Sequence, residues 1–241
     1  MVLSALRLAT VAAGGAIVFA ASVADAAPPA ADLMDRLARH AANMEVLRKS
    51  GTYSVSGRLE SLDTSGQQSS VRELRGHVEL VGGKSTFVVD HYTEDGEDKT
   101  NDARDEAKSR EEKRMREGDN KRIRLPTLAE EQPLYTFDVV EVDANDANRV
   151  KLAFAPKERD ERRIEGTAWV DAKAGTILSA GFRLSKTSLF VDWVHFKVQF
   201  GEMTPLGPAP SQVEVEGKGG LLFLVRKHFR GSARVAAYRV R

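Results

Sequence analysis

Residues 190–200 read Phe190-Val191-Asp192-Trp193-Val194-His195-Phe196-Lys197-Val198-Gln199-Phe200. From 194 onward the even positions carry Val194, Phe196, Val198 and Phe200, and the odd ones carry His195, Lys197 and Gln199. A period of two marks a strand with one face toward an apolar interior and the other toward water. The same parity runs through Val150, Leu152 and Phe154, and again through Leu178, Ala180, Phe182 and Leu184. Long strands that share one apolar face make a sheet, which must cover that face with helix, with a second sheet or with a ligand.

The alternation extends in both directions. Tyr53, Val55, Gly57 and Leu59 share one face of a strand that starts at Tyr53, and further strands are expected over 74–80 and 87–92, with turns at 63–70 and at Gly82-Gly83. After Pro133 strands are expected over 134–142, 149–155, 164–171, 177–185, 190–200, 212–216 and 221–229, with a last one ending near Val240. Turn residues separate them at 143–148, 156–160, 172–175, 204–210 and 217–220. The strand-helix-strand alternation of parallel sheets is missing, so the order predicts a mainly β chain folded as an antiparallel meander.

Two segments break this pattern. Over 30–49, Leu33, Leu37, Ala41 and Met44 fall on one helical stripe that Ser50-Gly51 stops, which predicts an amphipathic helix lying on something apolar. Over 94–122, 20 of 29 residues are charged and only Ala103, Ala107 and Met115 are apolar. That composition predicts a solvated insertion, either disordered or a lone helix held by pairs such as Glu106 with Arg110 and Glu112 with Arg116. The alternative is a docking element for an envelope protein partner or for anionic head groups, the latter weakened by its mixed signs.

One amphipathic helix is little cover for about ten strands. The uncovered apolar concavity points to a hydrophobic ligand, and the residues expected to meet it are Phe154, Leu178, Phe182, Leu184, Val194, Phe196, Val198 and Phe200. The alternative is a sheet that rolls up and buries the face against itself. Trp169 and Trp193 fall on the opposite parity, as a girdle on the outer face, a contact surface for another protein, or the result of a β-bulge that shifts the register.

Composition narrows the function classes. Lys and Arg number 36 against 35 Asp and Glu, which gives no electrostatic reason to expect nucleic acid. The chain has no cysteine, which excludes disulfides, thiolate metal sites, a cysteine nucleophile and a lipid-bearing cysteine. The five histidines (His40, His77, His91, His195 and His228) lack metal-motif spacing, so no metal is expected. GxSxG, P-loop and dinucleotide patterns are missing, and Gly217-Lys218-Gly219-Gly220 reads as a hairpin turn rather than a phosphate loop. Acidic pairs such as Asp90 with Glu94, or Asp171 with Asp192, are not brought together by any pattern, so no catalytic residue and no cofactor is expected. Residues 1–26 resemble a secretory signal, with Arg7 before an apolar run and Ala24-Asp25-Ala26 as the cleavage pattern. The expected mature chain is a single domain over 27–241, exported to the periplasm, not lipidated and not an enzyme.

The segment Gly166-Thr167-Ala168-Trp169-Val170-Asp171-Ala172-Lys173-Ala174-Gly175-Thr176 has the form G-x-x-W-x-D-x-x-x-G. In the order signal, amphipathic helix, strand meander, it resembles the periplasmic lipoprotein-sorting proteins of the LolA/LolB-like superfamily. The resemblance implies an open half-barrel with helices on its concave side, carrying the acyl chains of lipids or lipoproteins in outer-membrane lipoprotein sorting. Receptors of the LolB kind are lipidated, which a cysteine-free chain is not, and the charged insertion is not part of the carrier pattern. The alternative on the same fold is an envelope regulatory protein similar to sigma-factor regulators, with the insertion over 94–122 as its partner surface.

Overall fold

The computed structural model describes residues 27–63, 65–81, 84–117, 123–187, 191–221 and 225–240. The signal expected over 1–26 and the turn at Gly82-Gly83 lie outside the described residues. The helix α1 spans Ala31–Ser50 and leads into β1 (Gly51–Leu62), β2 (Gln68–Val81), β3 (Lys84–Glu94) and the two-residue β4 (Glu97–Asp98). The helix α2 (Thr100–Glu117) follows, then β5 (Tyr135–Val142), β6 (Arg149–Pro156), β7 (Ile164–Asp171), β8 (Thr176–Leu184), β9 (Val191–Thr204), β10 (Gly207–Leu221) and β11 (Val225–Val240).

All eleven strands form one antiparallel sheet in the order β4-β3-β2-β1-β11-β10-β9-β8-β7-β6-β5. The sheet does not close. The chain builds one meander outward from β1 and a second from β5 back to β11, and the pairing of β1 with β11 joins them. Strands β4 and β5 therefore sit at opposite edges, and the segment that carries α2 has to cross from one edge to the other. The result is the antiparallel meander that the alternating pattern predicts, in the form of the open half-barrel with an N-terminal helix that the resemblance implies.

The helix α1 builds its core with the β5–β8 side and also meets β1, β3 and β10. Its Leu33, Met34 and Leu37 enter a core with Tyr135, Val150, Leu152, Phe154, Ile164, Ala168, Val170 and Ile177, and Leu37 is fully enclosed. Polar contacts set its position. Arg36 donates from Nη2 to the Ala172 carbonyl (2.8 Å), Asn43 donates from Nδ2 to the Leu206 carbonyl (3.0 Å), and Gln132 donates from Nε2 to the Met34 carbonyl (3.0 Å). The turn of the Trp-Asp motif is the seat of the helix. Asp171 Oδ1 accepts from the Ala174 N–H, and Gly175 adopts φ +67° where a Cβ would lie 2.1 Å from Arg36 Cβ. Only glycine satisfies both the left-handed backbone and the close approach.

His40 is buried under the same helix, 4% exposed, with Nε2 2.9 Å from the Pro208 carbonyl and Nδ1 3.4 Å from the Ile177 N–H. Burial disfavours its charged form and holds its pKa below the usual 6.5, against the smaller upward pull of the Pro208 carbonyl. A lowered folded pKa means that the unfolded chain takes up the proton first, so stability is lost as pH falls below about 6.5. Carboxylates such as Asp32, Asp63 and Asp160, held below 3.8, act only at lower pH. His77, raised by Asp90 and Glu79, works in the opposite direction but is common to any comparison at position 40. Unfolding midpoints of the wild type should therefore fall between pH 7 and pH 5 more steeply than those of His40→Gln, and parallel curves would show that His40 stays protonatable in the fold.

Four expectations are corrected by the pairing. Gly217–Gly220 is not a hairpin turn but part of β10, with Gly217 opposite Phe229 and Gly219 opposite Lys227. Gly217 is needed there because a Cβ would lie 2.5 Å from the Phe229 ring, so the glycine serves a cross-strand neighbour rather than a bend. The two strands expected over 221–229 and up to Val240 are accordingly one, β11. The expected turn over 204–210 shrinks to Pro205-Leu206, and Ala209 and Pro210 sit at register shifts inside β10. In β8 the register against β7 shifts so that Ser179 faces Trp169 while Ile177 faces Val170. Leu178 falls in this bulge, and Ile177 takes the core position that unbroken alternation assigns to Leu178.

Candidate functional site

The charged stretch is helical because Glu, Arg, Lys and Ala lose little side-chain freedom in a helix, and pairs one turn apart support it. Glu106 pairs with Arg110, and Arg116 lies 3.9 Å from Glu112, the two pairs expected for a helix over this segment. The segment is nevertheless not a free-standing solvated insertion, since α2 lies along β3. Thr100 Oγ1 accepts from the Tyr92 N–H (3.0 Å), Thr86 Oγ1 donates to Glu111 (2.9 Å), and Arg104 Nε donates to the Val89 carbonyl (2.9 Å). The last bond falls where the β2–β3 register shifts between Arg75 and Gly76, at the break in the ladder. The short β4 leaves most of the β3 edge unpaired by strand, and α2 covers it.

Between α2 and the sheet lies a cavity of about 630 Å³. Its floor is the inner face of β1–β3 with β10 and β11, through Leu59, Leu74, Phe87, Val89, Val213 and Val215. Gly231 lies between Leu59 and Val215 in the pairing, and a Cβ there would be 2.9 Å from Leu59 Cδ1 and 3.2 Å from Val215 Cγ1. The missing side chain lets the two lean together into a continuous apolar floor. The roof is Ala103 and Ala107, the small residues of α2. At the mouth stand Arg72, Tyr92, Glu106, Arg110 and Glu111. Arg72 is held by Glu94 through Nε and Nη2, both at 2.8 Å, and Glu94 raises its pKa further. Cations and carboxylates thus alternate around an apolar interior. Among the described residues no three His, Asp or Glu side chains are grouped to hold a metal ion.

None of the eight candidate residues lines this cavity. Phe154 is buried in the α1 core, and Phe182, Leu184 and Phe200 pack against that core. Phe196 stacks on Phe182 at 5.2 Å, and the two edge a separate recess beside Gly166 and Gly181. Leu184 and Val194 edge a smaller recess of about 180 Å³. Val198 lies between Ala180 and Val213, at the boundary of the two halves, and Leu178 occupies its bulge. The floor residues share the parity seen in the sequence. What sequence reasoning missed is which part of the apolar face lies beneath α2, and that is set by the long-range pairing of β1 with β11.

The two tryptophans sit beside register shifts, yet β7 keeps its alternation, with Ala168 and Val170 buried. Trp169 lies against Arg149 and Lys151, whose charged groups are 5.2 and 5.4 Å from its ring. Trp193 lies against His195 and His228, with ring centroids 5.0 and 5.7 Å away.

No family model matches the sequence, and no curated protein matches it. Among solved structures the chain is similar to a DUF1329 family protein from Desulfovibrio piger, at 13% identity over 88% of this chain and 93% of that one, with a TM-score of 0.41. It is similar to a LolA superfamily protein from Nitrosomonas europaea, at 10% identity over 86% and 93%, with a TM-score of 0.38. A Vibrio parahaemolyticus domain described as an outer membrane lipoprotein-sorting protein is 11% identical over 86% and 92%, with a TM-score of 0.42. At these identities and TM-scores the function is argued from the chain's own cavity.

Proposed function

We propose that this chain is a periplasmic carrier or binding protein that holds an acyl chain of a lipid or lipoprotein between α2 and the inner face of β1–β3, β10 and β11. The observation that supports this is the cavity itself. Its volume of about 630 Å³ falls within the roughly 300–1,000 Å³ usual for small-ligand sites. Its walls offer burial rather than chemistry, and each buried methylene contributes about 0.8 kcal/mol. No turnover, metal or cofactor is required, and the N-terminal export pattern agrees with an envelope location.

The test fills the cavity from its roof. Ala107 belongs to α2, so Ala107→Trp adds volume to the cavity without disturbing the α1 core. Uptake of a fluorescent fatty acid by the variant should fall at least tenfold with an unchanged unfolding midpoint, while Lys108→Trp on the exposed side of α2 should bind as the wild type does. Failure of the wild type to take up the probe saturably, or equal uptake by Ala107→Trp, would refute the proposal.

A further inference from the structure

The outer face of the sheet is built from residues of the other parity, and most of its charges are matched across strands. Arg183 meets Glu165, Arg230 meets Glu60, and Arg58 is held between Glu60 and Glu73. A row across β11, β1, β2 and β3 breaks this rule. Ser56 of β1 lies opposite Arg234 of β11 on one side and opposite Arg75 of β2 on the other, and Arg75 lies opposite His91 of β3. Neither Arg75 nor Arg234 has a carboxylate partner among the described residues, and the hydroxyls of Ser56 and of the neighbouring Ser232 make no hydrogen bond there. These side chains, with His91, Arg58 and the Arg58-paired Glu73, line an outward recess of about 370 Å³.

We infer that the recess at Arg234, Ser56 and Arg75 is a binding site for a phosphate group. Neighbouring strands lie about 4.8 Å apart, so the two arginine backbones stand roughly 10 Å from each other across the short Ser56. That separation lets two guanidinium groups converge from opposite sides on one tetrahedral anion above the serine, each offering a planar fork of donors. Ser56 and Ser232 supply hydroxyl donors. The carboxylates nearby are engaged. Glu73 is held by Arg58, Asp90 and Glu79 are held by His77, and Asp98 lies 4.0 Å from His91. A phosphate therefore meets uncompensated positive charge in this row. The site is on the face opposite the cavity floor and does not depend on the acyl-chain reading.

The source of the phosphate is either a soluble ester or a lipid head group, and two arms separate them. Inorganic phosphate is titrated into the whole protein by calorimetry, and vesicles of phosphatidylglycerol or of phosphatidylcholine are sedimented with it. The wild type should bind phosphate saturably, and Arg75→Gln with Arg234→Gln should weaken binding at least tenfold without changing the unfolding midpoint or uptake of the fatty-acid probe. Sedimentation with phosphatidylglycerol, reversed by inorganic phosphate and lost in the double variant, identifies the head group as the source. Binding of inorganic phosphate without sedimentation identifies a soluble ester. Should the double variant unfold early, Ser56→Glu, which sets a carboxylate between the arginines, must give the same loss. Binding of neither ligand by the wild type, or undiminished binding by the variants, overturns the assignment.

Discussion

Leu37→Ala should lower the stability of this protein by about 3–5 kcal/mol, the upper part of the range for emptying a well-packed leucine site. Leu37 is fully enclosed at the centre of the contact between α1 and the β5–β8 half of the sheet, alongside Leu33 and Met34. The contact is fixed on several sides. Arg36 is tied to the Ala172 turn, Asn43 to the Leu206 carbonyl and His40 to the Pro208 carbonyl, so the helix is poorly able to collapse into the space a truncation leaves. For a chain of this size such a loss lowers the unfolding midpoint by roughly 10 °C. Val46→Ala on the exposed side of the same helix, 47% exposed, should change stability by less than about 0.5 kcal/mol. Equilibrium urea unfolding of the two variants decides the matter. A cost below about 1 kcal/mol for Leu37→Ala would mean that the sheet fills its own interior and that α1 only rests on it.

Replacing α2 should have the opposite profile, with stability nearly kept and ligand uptake lost. Of apolar side chains the helix gives the cavity only Ala103 and Ala107, and it is tied to β3 by a few polar contacts near the surface, each contributing about 0.5–1.5 kcal/mol. The replacement cannot be a simple excision, because the segment joins β4 and β5 at opposite edges of the sheet. An 18-residue helix spans about 27 Å, and a Gly/Ser linker of the same length has a root-mean-square span of roughly 23 Å, so an equal-length linker closes the path without strain. With such a linker in place of Thr100–Glu117, unfolding should stay cooperative and the midpoint should fall by only a few degrees. Retention of a fluorescent fatty acid should drop at least tenfold, because the apolar floor is then open to water. Loss of cooperative unfolding would show instead that α2 is part of the core, and unchanged retention would place the ligand elsewhere.

The legible part of the fold was carried by periodicity. The period of two in 194–200 and its echoes in 150–154 and 53–59 are local consequences of strand geometry. They survive into the structure as the inner faces of β9, β6 and β1. The α1 stripe was equally legible, because Leu33, Leu37 and Ala41 occupy one helical face whatever they pack against. Alternation failed at single residues where a neighbour decides the backbone. Leu178 is displaced by a bulge whose cause is the register with β7, and the Gly217–Gly220 run is drawn into a strand because Gly217 faces the Phe229 ring. The charged segment was legible as either disordered or a lone helix with Glu106–Arg110 and Glu112–Arg116 pairs, and the structure shows the helix, with those pairs, as a roof.

What the sequence determined alone was the class of architecture: an antiparallel sheet with one apolar face, and one amphipathic helix to lie on it. Each of these is set by residue order over a few neighbours, where side-chain parity and propensity act. The tertiary structure decided where the empty space lies. It paired β1 with β11, seated α1 on the sheet through the Ala172–Gly175 turn, and brought Ala103 and Ala107 over Leu59, Leu74 and Val215. The same parity marks a filled core under α1 and a cavity under α2. Periodicity specifies which side of a strand is apolar, but only contacts between residues far apart in the chain determine what covers it.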